Sequence, residues 1–248
     1  MPDAAEERRD HAEEPLRREI VSFTRRGGRL NDRQQEAWDE LADRFVVDVP
    51  RGRTDTSLVE GFTLDPAELF GRRAPLVLEI GSGRGESLVH AALENPDTDF
   101  LALEVYVPGV AQTLLALRRE GIENIRLVVV DAVPALTRML PEECLDELRV
   151  WFPDPWHKKR HQKRRLVTDD FIPAVRRVLK PGGVWRLATD WQDYADQMLD
   201  VVGRAEGFTT TTGEWAERFA GRPVTKFEAK GLAKGRAIRD VAATRMSA

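Results

Sequence analysis

The segment Phe152-Pro-Asp-Pro-Trp-His-Lys-Lys-Arg-His161 sets one carboxylate, Asp154, between two prolines at the end of an apolar run, Leu148 to Phe152. Proline fixes its own φ, so the acid is presented on a stiff turn at the tip of a strand. Cations follow at Lys158, Lys159, Arg160, Lys163, Arg164 and Arg165, with no acid among them. A run of that kind repels itself unless an anion neutralises it, which favours an anionic partner over a merely solvated helix face. An acid beside it suggests an enzyme that works on a polyanion. The whole chain carries a net charge of −4, so the positive field is a local footprint. Trp156 and Trp191 are candidates for stacking on a base, with core packing the competing role for Trp191.

A second constellation lies upstream. Glu79-Ile-Gly81-Ser-Gly83-Arg-Gly85 falls at a strand-to-helix turn, where glycines permit close backbone approach and a helix N-terminus offers amide donors. Alone, such a turn is weak evidence. Glu104 and Asp131 fall at the ends of the next two strands, where acids can accept ribose hydroxyls and an adenine amine. Each acid alone reads as a solvated loop residue; three in successive units read as a nucleoside site. A pyrophosphate would be repelled by Glu79, and the turn lacks the lysine of a phosphate-binding loop. S-adenosylmethionine, with a sulfonium and an amino group but no phosphate, suits the carboxylates. The expected cofactor is therefore S-adenosylmethionine and the expected chemistry methyl transfer.

The elements that must position these residues alternate. Leu76 to Ile80, Phe100 to Val105, Ile125 to Val130, Leu148 to Phe152, Val184 to Ala188, Phe208 to Thr212 and Ala237 to Thr244 read as strands. Helices are expected over Glu86 to Glu94, Val110 to Arg119, Thr168 to Leu179, and from Asp190 or Gln192 to near Gly207, with Lys180-Pro-Gly-Gly183 a sharp stop. The pattern predicts a doubly wound, mostly parallel seven-stranded α/β sheet with its ligand loops at the strands' C-terminal ends. Residues 1–20, with seven acids, are expected to be a disordered tail. Residues 21–74 form a basic arm and helical extension, with a short helix over Gln34 to Phe45, and 75–248 the catalytic domain. The arm's Arg25, Arg26, Arg29 and Arg33 read equally as phosphate contacts or a solvated surface.

With one cysteine, Cys144, no intramolecular disulfide is possible. No run is apolar enough to span a membrane and no signal peptide is evident, so a cytoplasmic location is expected. His157 and His161 have i,i+4 spacing but sit among cations without further ligands, so no metal is expected.

The residues resemble the tRNA (guanine-N7)-methyltransferase family from about Ser22 to Arg245. The resemblance rests on Ser22-Phe-Thr-Arg-Arg26, Leu78-Glu-Ile-Gly81, Leu103-Glu-Val105, Asp131-Ala132, Phe152 to Lys158 with Arg160 to Arg165, Ala188-Thr-Asp-Trp191 and Arg222-Pro-Val-Thr-Lys-Phe-Glu228. It implies a Rossmann-like methyltransferase fold, and methylation of a guanine N7 at position 46 in the tRNA variable loop. It places Glu79, Gly81, Gly83, Glu104, Asp131 and Asp154 at the cofactor, with Asp154 also catalytic. Lys158, Asp190, Thr225, Lys226, Phe227 and Glu228 would contact the substrate, and Lys159, Arg160, Lys163, Arg164 and Arg165 the RNA. Without the resemblance, Thr225 to Glu228 would read as a loop leading to the last strand. Competing readings are a methyltransferase for another RNA or a protein, and a non-catalytic RNA-binding protein. No obligate protein partner is evident, and the chain is expected to act as a monomer or homodimer.

Overall fold

The computed structural model describes residues 28–52, 54, 56–210 and 215–247. The expected acidic tail, the motif at Ser22 to Arg26 and the last residues of the expected strand at Phe208 to Thr212 lie outside the described residues.

Helix α1 (Asp32–Phe45) begins with a capping box: Asn31 Oδ1 accepts from the Gln34 amide at 3.0 Å, and Gln34 Oε1 accepts from the Asn31 amide at 3.2 Å. These bonds occupy amides that a helix start leaves without partners. Ala37, Leu41 and Phe45 form its buried stripe, each large side chain contributing about 1.5–3 kcal/mol. After the short helix α2 (Pro66–Phe70) the alternation starts: β1 (Leu76–Ile80), α3 (Glu86–Glu94), β2 (Asp99–Leu103), α4 (Val107–Glu120) and β3 (Ile125–Val128). Next come α5 (Ala132–Pro134), a π-helical turn over Ala135–Met139, β4 (Leu145–Trp151) and 3-10 turns at Lys159–Arg164 and Asp169–Phe171. The chain continues through α6 (Ile172–Val178), β5 (Leu179–Thr189), α7 (Gln192–Gly203), β6 (Phe208–Thr210), α8 (Lys226–Leu232) and β7 (Arg239–Arg245).

The seven strands form one sheet in the order β3-β2-β1-β4-β5-β7-β6, parallel except where β7 pairs with β5 and β6. One face packs Leu78, Ile80, Leu101, Leu103, Leu148 and Val150 into the larger core. The other packs Val77, Phe100 and Ala102 against α1, α3 and α4.

Two expectations change in the fold. The stop at Lys180 to Gly183 holds, since α6 ends at Val178, but β5 starts at Leu179, not Val184, so these four residues belong to the strand. The register jumps from Leu145↔Leu179 to Glu147↔Val184, and this bulge takes up the Pro-Gly-Gly step. The segment Thr225 to Glu228 also opens a helix, α8, where a plain loop was the reading from the residues alone. Thr225 Oγ1 caps it by accepting from the Glu228 amide at 3.2 Å, a contact that sequence spacing marks only faintly.

Candidate active site

The C-terminal ends of β1, β2, β3 and β4 open into one cleft of about 2230 Å3. Glu79, Gly81, Gly83, Glu104, Asp131 and Asp154 all line it, so four strand ends bring the expected cofactor residues together.

The glycine turn is held by its neighbours. Gly81 donates its amide to Leu103 O at 2.8 Å, and Gly83 donates to Glu104 Oε2 at 2.6 Å. Tyr106 N–H reaches the other oxygen of Glu104 at 2.7 Å. Burial pushes the Glu104 carboxyl up, and these backbone donors offset part of that push. Gly85 has φ +77°, and a Cβ there would lie 2.5 Å from Thr113 Oγ1. Helix α3 can therefore approach α4 only because position 85 has no side chain.

Glu79 lies on the cleft floor at 3% exposure. Burial raises its carboxyl to about 7, and Arg149, Ser87 and Trp151 oppose the rise. Ser87 and Trp151 act on Glu79 as hydrogen-bond donors, and Glu79 Oε2, Ser87 Oγ and Trp151 Nε1 form a buried polar group whose contacts fall short of full hydrogen-bond geometry. A buried acid lining the cleft floor beside two polar side chains with incompletely formed bonds fits a cationic, hydrogen-bonding ligand. That is the donor and acceptor chemistry S-adenosylmethionine would meet.

Asp154 is exposed on its turn. Phe152 and Trp156, which flank it, have φ of +51° and +44°, a left-handed conformation costly for bulky residues and concentrated at functional sites. Phe152 N–H is fastened to Ala188 O at 2.7 Å, and its ring lies 5.6 Å from the buried guanidinium of Arg222.

That arginine, which opens the Arg222 to Glu228 motif but is given no role by it, is a hub. Arg222 donates to both oxygens of Asp240 at 2.5 and 2.9 Å and to Glu228 Oε2 at 3.2 Å, and it sits 4.8 Å over the Trp151 ring. Arg218 completes the cluster, donating to Glu228 Oε1 at 2.7 Å. Burial pushes the Glu228 carboxyl up, but the bonds from Arg218 and Arg222 more than reverse this and leave it below the ordinary range. Nearby, Arg149 and Arg186 share Glu147 Oε1 at 2.7 and 3.0 Å, and both lie over the Phe219 ring, at 5.0 and 4.3 Å. A further sequence signal for this layer is Arg149, an arginine inside the apolar run of β4.

Two expected contacts are corrected. Arg165 is 3% exposed and donates to Pro155 O at 2.9 Å and Gln197 Oε1 at 2.7 Å, with an ion pair to Asp193; it braces the Asp154 turn from inside and offers no surface to RNA. Glu228 is 1% exposed with its carboxylate held by two arginines, so it anchors α8 and is shielded from a substrate.

The others divide by place. Lys158, Lys163, Arg164, Thr225, Lys226 and Phe227 line the cleft, and Phe227 is 62% exposed. Lys159 and Arg160 are exposed beside it. Asp190 lies under α8, ion-paired with Arg236 at 2.7 Å and close against Gly231. Trp156 lines the cleft with Arg164 5.1 Å over its ring, whereas Trp191 packs against His157 with ring centroids 3.9 Å apart. The Lys226 amide donates to Glu86 Oε2 at 2.6 Å, joining α8 to the start of α3 across the cleft. Among the described residues no group of three or more His, Cys, Asp or Glu could hold a metal, and no helix is long and apolar enough to cross a membrane.

Comparison with known proteins agrees with this geometry. A family model described as "Putative methyltransferase" matches residues 73–241. A tRNA (guanine-N(7)-)-methyltransferase of Nocardioides sp. (strain ATCC BAA-499 / JS614) is 49% identical over 93% of this chain and 89% of its own. One from Cutibacterium acnes (strain DSM 16379 / KPA171202) is 46% identical over 91% and 83%. The solved structure of the 16S rRNA methyltransferase KamB superposes with a TM-score of 0.55 at 18% identity, covering 81% of this chain and all of KamB, and shares the fold. The cleft, its acids and these relatives together establish that the chain belongs to the tRNA (guanine-N7)-methyltransferase family.

Proposed function

We propose that this protein transfers the methyl group of S-adenosylmethionine to N7 of a guanine in the tRNA variable loop, at position 46. The observation that carries the reading is the buried acid Glu79, lining the cleft with Ser87 and Trp151 beside the strained Asp154 turn and bordered by Lys158, Lys163 and Arg164. Bound S-adenosylmethionine supplies an electrophilic methyl group on a sulfonium. Glu79, Glu104 and Asp131 hold the cofactor, with the Gly81 and Gly83 backbone giving it close approach.

Guanine N7 carries an in-plane lone pair, so no proton need leave before attack and no strong general base is required. The protein's part is to place N7 in line and to meet the charge that moves onto the purine. Asp154 does both, as an acceptor for the guanine N–H groups and as a fixed negative charge. Lys158, Thr225, Lys226 and Phe227 hold the base and its nucleotide, while Lys159, Arg160, Lys163 and Arg164 neutralise phosphates. The enzyme works in the cytoplasm without an obligate partner subunit.

The test is transfer of labelled methyl from S-adenosylmethionine to an unmodified tRNA transcript by the purified chain alone, with the product mapped by borohydride–aniline scission. Scission at one variable-loop guanine, abolished by Asp154→Ala, is expected. Labelling without scission would move the target off N7, and no labelling despite tight tRNA binding would reduce the chain to a binding protein.

A further inference from the structure

Asp131 is met by a loop that lies outside the residues 73–241 matched by the family model. After α1, Val47 donates its amide to Leu127 O at 2.8 Å, running the chain beside β3. The chain then folds back on itself: Arg51 and Leu58 pair antiparallel, Gly52 N–H reaches Ser57 O at 3.2 Å, and Val59 N–H reaches Pro50 O at 3.1 Å. A Cβ at Gly52 would sit 2.9 Å from Leu58 O, so the reversal is tight. Val49 and Leu58 are buried in the larger core, and Arg51 donates to Val129 O.

The tip of this loop closes on Asp131 twice. The Asp131 amide donates to Thr56 O at 3.0 Å, and Thr56 Oγ1 donates to Asp131 Oδ2 at 2.7 Å. Thr56 and Asp131 are 7% and 6% exposed, so the second bond is a buried, charge-assisted one of the stronger class. Gly52, Thr54, Ser57, Leu58, Val59 and Glu60 face the cleft.

We infer that the described residues between 52 and 60 form a wall of the cofactor pocket, and that Thr56 is a positioning residue that aims the Asp131 carboxylate at the adenine amine of S-adenosylmethionine. The inference rests on the cofactor reading above. A carboxylate turns freely about its last bond unless an oxygen is held. Here the backbone is tied by one bond and one oxygen by another, so the orientation of Asp131 is fixed before any ligand arrives, which saves the ordering cost of binding. An aimed carboxylate also selects: it accepts from the 6-amino group of adenine and faces the carbonyl of hypoxanthine unfavourably.

Calorimetric titration of the full chain with S-adenosylhomocysteine and S-inosylhomocysteine tests this. The wild type should prefer the adenosyl ligand. Thr56→Val, which keeps shape but loses the donor, should weaken adenosyl binding about tenfold and shrink the preference over inosyl. Thr56→Ser, which keeps the donor, should restore both. Should Thr56→Val fold poorly, Val59→Lys, on the same wall and 42% exposed, should weaken both ligands alike at unchanged melting temperature. Wild-type affinity and preference in well-folded Thr56→Val, or no effect of Val59→Lys, would overturn the inference. Absence of binding to either ligand by the wild type would remove the cofactor reading itself, and this inference with it.

Discussion

The wall of the cleft built from β1 to β3 and the wall built from β4 to β7, with the layer behind it, hold their buried and half-buried acids by different means. On the first, Glu104 is fastened by the amides of Gly83 and Tyr106, Asp131 by Thr56, and Glu79 faces the neutral donors Ser87 and Trp151. On the second, Glu147, Glu228 and Asp240 are all held by arginines that also stack on Trp151, Phe152 and Phe219. A carboxylate bonded to backbone amides can still receive a cationic ligand, because its charge is not neutralised. A carboxylate paired with guanidinium is spent on architecture. The comparison teaches that burial alone does not mark a ligand-binding acid; the identity of its partner does.

The largest effect expected from breaking that contrast is at Arg222. Arg222→Met would leave Asp240 without its bidentate partner and Glu228 dependent on Arg218, costing about 3–5 kcal/mol and lowering the denaturation midpoint accordingly. A loss below 1 kcal/mol would mean that α8 is held by packing alone. On the other wall, Gly85→Ala should cost about 1–3 kcal/mol from its positive φ and the collision with Thr113. Gly85→Ala combined with Thr113→Ala should recover the collision and not the backbone strain, which thermal melts of the single and double variants would separate.

Next in size is the pH dependence of Glu79. Its folded value, near 7, lies above the ordinary 4.5, so its contribution to stability is greatest below about 4.5 and is lost as pH climbs towards 7. A cationic ligand reverses the preference by favouring the ionised form. S-adenosylmethionine affinity should therefore rise between about pH 5.5 and 7.5, and Glu79→Gln should flatten that rise. Arg149, Ser87, Trp151 and Glu104 are the groups that act on it. The smallest effect should come from a single surface cation. Lys163→Ala should reduce the salt slope of tRNA binding by about 1 from a wild-type slope of roughly −2 to −4 and leave cofactor affinity unchanged, sharpening the division between the walls.

The wall from β1 to β3 was the more legible of the two in sequence. Its acids follow short apolar runs, and nothing but a strand end explains a carboxylate there. The loop that closes over Asp131 was not legible, since Thr56 sits in a polar, turn-like stretch whose destination only the fold reveals. On the other wall, the six cations from Lys158 to Arg165 read as one surface. A 3-10 turn rotates Arg165 inward to Asp193 and Gln197, an outcome that charge counting does not register. The Thr225 to Glu228 motif was visible as a motif, but its helix depends on Arg222 and Asp240, and Asp240 is supplied by β7 from further along the chain. Glu228 was read as a contact for the same reason: an acid in a specific motif looks functional until its arginines are seen.

The place of β7 between β5 and β6 also sets an order of events at the ribosome. Asp154 is synthesised 86 positions before Asp240 (240 − 154), which at roughly 5–20 residues per second is a delay of about 4–17 s. During that interval the basic segment has already emerged, while the strand that secures Arg222, and through it α8, does not yet exist. The basic part of the nascent chain thus precedes the part that anchors α8 beside the cleft.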